Sequence, residues 1–180
     1  MLIMKHLSKK EQLLSAFSAS TKAGGGVLTL AEIAFYLNAE NNIALRKLLT
    51  DCVKKGIVRR LAAGIYESTL TPPDPLTAIY KIANKIRGGV LNYISLESQL
   101  SYTGVISQIV MGRVTIMTKG RKGTFETPYG VLEFTHTSRP VDKIASNIYL
   151  DPEIMMYRAS NEQAISDLRA TKRNLHMLEN

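Results

Sequence analysis

Cysteine is nearly absent from this 180-residue chain, and Cys52 is the single one. No internal disulfide can form. Its place on an apolar helical stripe points to a small buried hydrophobe rather than a reactive thiol. No apolar run approaches the ~18–20 residues of a membrane span, and Leu2-Ile3-Met4 is too short for a signal-peptide core, so a cytoplasmic protein with no membrane partner is expected. Histidine is scarce too: His6, His136 and His176 lie far apart, without metal-ligand spacing to acids or a second cysteine. There is no P-loop, no dinucleotide fingerprint and no Gly-x-Ser-x-Gly. Gly24-Gly25-Gly26 precedes a strand-like segment instead of opening a helix, which makes it a poor phosphate cradle. Asp151 and Glu153 read as a solvated pair in a turn. The expected protein is a binding protein, not an enzyme, with no cofactor and no metal.

Acid is the other shortage. Fifteen Asp and Glu face 23 Lys and Arg, for a formal charge of +8 and a pI near 9.6. Such a balance favours polyanionic partners. The excess is uneven: residues 1–70 hold ten basic and five acidic side chains, the remaining 110 residues thirteen and ten. With 45% apolar and 21% charged residues the chain reads as folded rather than disordered.

What the sequence does contain is a pattern over Thr29–Tyr66 of helix, turn, helix, strand, basic turn and strand, the layout of a winged helix-turn-helix. Thr29 and Glu32 fit a capping box, and Leu28 and Ile33 stand where a hydrophobic staple forms. Three asparagines between Asn38 and Asn42 break the helix, and Asn41 or Asn42 caps the next one. In that second helix Leu45, Leu48, Leu49 and Cys52 fall at i, i+3, i+4 and i+7, an inward stripe. Asn42, Arg46, Lys47, Thr50 and Lys54 share the opposite face. Gly56 suits a left-handed helix end behind Lys54 and Lys55. Two short strands, Ile57 to Arg60 and Gly64 to Glu67, then flank a turn at Leu61-Ala62-Ala63.

An exposed basic face is more often a solvated surface than a site. Here its setting, ahead of a hairpin beginning Arg59-Arg60, matches a reader of the DNA major groove with a wing beside the phosphates. Arg46, Lys47 and Thr50 are expected to face the groove, with Asn42 in reach. Lys54, Arg59 and Arg60 are expected on phosphates.

Elsewhere Ser8 and Glu11 make a second capping box, opening a helix to about Ala19 with Leu13, Leu14 and Phe17 inward, and Val27-Leu28 is a short strand expected to pair with the wing. Pro72-Pro73 reads as a linker and divides the chain into a DNA-binding domain, 1–70, and an α+β domain, 71–180. In the latter, Asp74-Pro75 opens a helix with Leu76, Ile79, Tyr80, Ala83 and Ile86 on one face. Val90 to Ile94 is a strand, and Ser95 caps a helix to about Tyr102. Period-two segments follow from Ile109 to His136. Ile154 to Arg158 is another strand, and Ser160 with Gln163 fits a third capping box. The fold class is α+β, the second domain carrying helices on a small antiparallel sheet. The basic turn Lys119–Lys122 fits two roles equally, contacting phosphate or protecting a hairpin edge.

Three stretches, in this order, resemble the AbiEi family of antitoxins of type IV toxin–antitoxin systems. They are Gly56-Ile-Val-Arg-Arg-Leu-Ala-Ala-Gly64-Ile-Tyr66, Tyr93-Ile-Ser-Leu-Glu-Ser-Gln-Leu100 followed by Gly104, and Ala159-Ser-Asn-Glu-Gln-Ala-Ile-Ser-Asp-Leu168 with Gln163 where the family usually has Lys. The turn Thr127-Pro-Tyr-Gly130 also fits. Ala62-Ala63 departs from the more basic wing tip common in the family. The resemblance implies a repressor that binds inverted repeats in double-stranded operator DNA of its own operon. It also implies a second domain that helps counteract a nucleotidyltransferase-like toxin, typically without a stable complex; a monomer binding cooperatively to the repeats is the expected form.

Two other readings compete. One is a winged-helix regulator or plasmid replication or partition factor without an antitoxin role. The other is a small nucleic-acid-processing enzyme whose sheet is lined by Arg113, Arg121, Glu126 and Glu133.

Overall fold

The computed structural model describes residues 7–108 and 111–178. Leu2, Ile3, Met4 and His6, and Ile109 where the period-two pattern begins, lie outside them. The chain is α+β and divides into two compact units, one ending at Ile86 and the other starting at Arg87.

The first unit runs α1 (Lys9–Lys22), β1 (Val27–Thr29), α2 (Leu30–Tyr36), α3 (Ile43–Lys54), β2 (Val58–Ala62), β3 (Ile65–Ser68) and α4 (Ala78–Ile86). Through β3 this is the order of a winged helix-turn-helix. Local signals set the helix starts as expected. Ser8 and Glu11 close a capping box on α1, and Thr29 and Glu32 close one on α2. The β1 strand pairs antiparallel with β3, with Leu28 opposite Tyr66, and β3 pairs with β2 in the order β1-β3-β2. Leu13, Phe17, Leu28, Ile33, Leu37, Leu45, Leu49, Cys52 and Val58 form one core beneath the helices.

Two expectations for this unit need correcting. The wing does not turn at Leu61-Ala62-Ala63. Leu61 is a buried strand residue, and the tip is Ala63-Gly64, where Gly64 takes the left-handed φ of +70°. Nor does the first unit end at residue 70. The α4 helix buries Ala78, Ile79, Ile82 and Ala83 and packs on β1 and β3, while Lys85 pairs with Glu32. The proline linker lies against the unit: Gly26, at φ +97°, comes so close that a Cβ there would sit 2.9 Å from the Cα of buried Pro73. The Pro72-Pro73 break is thus a local one, crossed by the packing of α4.

The second unit runs β4 (Asn92–Ile94), α5 (Leu96–Tyr102), β5 (Arg113–Thr118), β6 (Gly123–Thr127), β7 (Gly130–His136), α6 (Val141–Ala145), β8 (Ile148–Asp151), β9 (Met156–Ala159) and α7 (Asn161–Thr171), then a 3₁₀ turn at Leu175–Leu178. Its sheet is neither small nor purely antiparallel. Six strands lie in the order β6-β7-β5-β4-β9-β8, with β5–β7 and β4–β9 parallel. The expected alternation does bury Ile116, Leu132 and Phe134. On the other side of the count, α6 and β8 carried no sequence expectation.

Two expected caps also differ. Ser95 makes no capping hydrogen bond, since its hydroxyl donates to Asp167 at 2.8 Å. Ser160 accepts from the Gln163 amide, but the Gln163 side chain turns inward to Asp167 instead of closing the box.

Candidate nucleic-acid interface

The two faces of α3 separate cleanly. Leu45, Leu49 and Cys52 are buried and Leu48 packs against the same core. Burying the two fully covered leucines is worth about 3–6 kcal/mol together. That is enough to fix the rotation of a 12-residue helix, so the opposite side is held outward. Ile43, Arg46, Lys47, Thr50 and Lys54 are all exposed there. Burial also pushes the Cys52 thiol up from its ordinary pKa, as expected of an inert packed residue.

The expected reading residues are all exposed but are not equally free. Asn42 is the N-cap of α3, and its Oδ1 accepts from the Ala44 and Leu45 amides at 3.0 and 3.2 Å. Only its NH₂ remains for a base. Thr50 donates its hydroxyl to the Arg46 carbonyl at 2.9 Å, leaving oxygen lone pairs outward. Arg46 donates to the Asn41 side chain at 3.4 Å and is exposed. Lys47 and Lys54 are exposed.

On the wing, strand periodicity alone would send Arg59 and Arg60 to opposite faces. Pairing is regular through Arg59 opposite Glu67 and Arg60 opposite Tyr66, so the two do alternate across the ribbon. Both are nonetheless exposed, between buried Val58 and Leu61, and the register shifts only beyond Arg60. Their roles then diverge. The Arg59 guanidinium stands 3.3 Å from the carboxylate of Glu67, a residue only 1% exposed. Arg60 donates to the Ala62 carbonyl at 3.3 Å.

Sequence reasoning missed one residue of this face. Ile43 directly follows the cap and is 85% exposed. The signal was present: at 100° per residue it lies about 180° from the middle of the Leu45–Cys52 stripe.

In the second unit the basic turn is largely tied down. Lys119 donates to the carbonyls of Thr137 and Arg139, both at 3.0 Å, and the Arg121 carbonyl accepts from Arg87 at 2.8 Å. Arg121 and Lys122 project their side chains outward. Of the four residues in the enzymatic reading, Arg113 and Glu133 pair with each other at 2.6 Å, while Arg121 and Glu126 are exposed. Arg173 bridges Glu133 and Glu97. Among the described residues no group of three or more His, Cys, Asp or Glu is placed to hold a metal.

Two of the three resembling stretches meet inside this unit. Tyr93 and Ser95 donate to Asp167 Oδ2 at 3.0 and 2.8 Å, and Gln163 donates to Oδ1 at 2.8 Å. Arg139 stands 3.7 Å away. Burial is the main cause that raises the pKa of both Asp167 and Tyr93, with the hydrogen bonds opposing it at Asp167. A cavity of about 390 Å³ beside the cluster is lined by His136, Arg139, Asp167 and Thr171 among others.

The first unit thus has the architecture of a winged helix-turn-helix with an outward basic helix face, within an α+β chain. No family model matches the sequence, and neither does any curated protein. Among solved structures, the RV2827C protein from Mycobacterium tuberculosis is similar in fold. Its TM-score is 0.57 at 11% sequence identity, over 87% of this chain and 59% of that one. The chain therefore spans less than two thirds of that protein's length, and the likeness bears on fold alone.

Proposed function

We propose that this chain binds double-stranded DNA through α3 and the wing as a transcriptional repressor, and acts as an antitoxin of a type IV toxin–antitoxin system. The observation that carries the DNA-binding part is the face of α3. A core-anchored helix presents Arg46, Lys47, Thr50 and Lys54 together to solvent, next to a wing bearing Arg59 and Arg60. Arg46 supplies the planar donor pair that distinguishes guanine, worth about 1–3 kcal/mol of discrimination. Lys54 and Arg60 neutralise phosphates and set register without reading sequence. Arg59 divides its charge between Glu67 and the backbone of the duplex.

The antitoxin part rests on the ordered resemblance of three stretches to the AbiEi family. In that reading the target is inverted repeats in the chain's own operon, and the second unit counteracts a nucleotidyltransferase-like toxin. Gel shifts on the DNA upstream of the gene, at two salt concentrations, test the first part. Arg46→Ala is expected to relax sequence preference. Arg59→Ala with Arg60→Ala is expected to weaken binding to all duplexes and flatten its salt dependence. Unaltered binding in every variant discards the assignment. Co-expression with the adjacent gene tests the second part: absence of rescue from that gene's toxicity removes the antitoxin role and leaves the repressor.

A further inference from the structure

We infer that Ile43 reads a thymine in the major groove, through the C5-methyl group of the base. The inference rests on the proposed DNA-binding role of α3 and deepens it.

Ile43 is the first residue of α3 and is 85% exposed, against 36% for Val53 and 4% or less for Leu45 and Leu49. It contributes nothing to the core that holds α3, since Leu45, Leu49 and Cys52 turn away from it. Its place at i−3 and i−4 from Arg46 and Lys47 puts it on the same strip of surface as they are, with Thr50 one turn further on. In a helix-turn-helix the first turn of the second helix is the part that meets base edges. A large branched apolar group held there, among cations, fits a polyanion that also offers an apolar spot. On the major-groove edges of the four bases only thymine offers one, its C5-methyl. Asn42 and Ala44, the flanking residues, give no alternative apolar reach: Asn42 Oδ1 is committed to the cap and Ala44 is a single methyl.

The chemistry is tested by removing one methyl from the DNA instead of from the protein. Duplexes selected by the full chain from a random pool are resynthesised with deoxyuridine in place of each thymine in turn, which leaves every hydrogen-bonding edge intact. At one or two positions per bound site the exchange is expected to weaken wild-type binding about fourfold, the value of one buried methyl-sized group. Ile43→Ala is expected to bind thymine and deoxyuridine duplexes equally at those positions, and Ile43→Val to keep part of the difference. Wild-type binding that is sequence-selective yet indifferent to every exchange overturns the inference while leaving the DNA-binding role standing. A full deoxyuridine penalty retained in Ile43→Ala overturns it as well. Failure of the chain to select any duplex overturns both.

Discussion

Single residues in this protein carry their effects through partners that are distant in sequence. Glu133 is the clearest case. The Arg173 guanidinium beside it, with Arg113 on its other side, holds its carboxyl below the usual carboxylate range. The folded state therefore resists protonating Glu133 more than the unfolded chain does. That contribution to stability is complete above the ordinary value of 4.5 and is lost as the pH falls through the depressed folded value. Urea midpoints are expected to drop as the pH falls below about 5, and Glu133→Gln is expected to show a smaller drop over the same range. An equal drop in the variant would remove Glu133 as the source. The same logic of partnership qualifies Arg59, whose ion pair with buried Glu67 makes its removal a structural change as well as a loss of charge. Arg60 is the cleaner probe of wing–phosphate contact.

At the level of the element, α3 is held from two sides: by its apolar stripe and by its cap. Asn42 satisfies two of the amides that the first turn leaves without helical partners. Asn42→Ala is expected to cost about 1 kcal/mol of the first unit's stability, and Asn42→Asp to keep it, since a carboxylate caps as well and favours the helix N-terminus. The two substitutions separate folding from binding. Asn42→Asp places a negative charge at the proposed groove contact, so duplex affinity is expected to fall in a protein of unchanged thermal midpoint. Undiminished affinity in Asn42→Asp would move the contact away from this end of the helix. The wing is built with a similar economy of local means. Two consecutive arginines of β2 are exposed in regular register with β3, and the shift just beyond them comes at Leu61, which stays in the core.

For the molecule as a whole, each unit has its own buried core. One is built on Leu13, Phe17, Ile33, Leu45 and Leu49, the other on Tyr93, Leu96, Leu100, Met117, Ile144 and Leu168. Leu49→Ala is expected to destabilise the first unit by about 2–5 kcal/mol, a large-to-small change at a 1% exposed site. Amide hydrogen exchange across β5 and β7 is expected to stay as in the wild type, while duplex binding is lost. Loss of protection in those strands would mean that the two cores unfold as one. Among the described residues no helix is long and apolar enough to cross a membrane.

The sequence by itself determined whatever is decided within a turn or two of chain. The capping boxes at Ser8 and Thr29, the inward stripe and outward cations of α3, a cap at Asn41 or Asn42 and the short strand at Val27-Leu28 were all legible. Each depends on helix or strand periodicity, or on side chains reaching a nearby backbone amide. Only the tertiary structure decided what depends on residues far apart. Ser95 and Gln163 look like cap residues by spacing, yet the hydroxyl and amide turn to Asp167, whose buried carboxylate needs donors. The parallel pairings β4–β9 and β5–β7 join strands that no short turn connects, so no local pattern announces them. Likewise α4 belongs with the first unit because its apolar face finds β1 and β3. A proline pair can mark a break in the chain but cannot say where burial will resume.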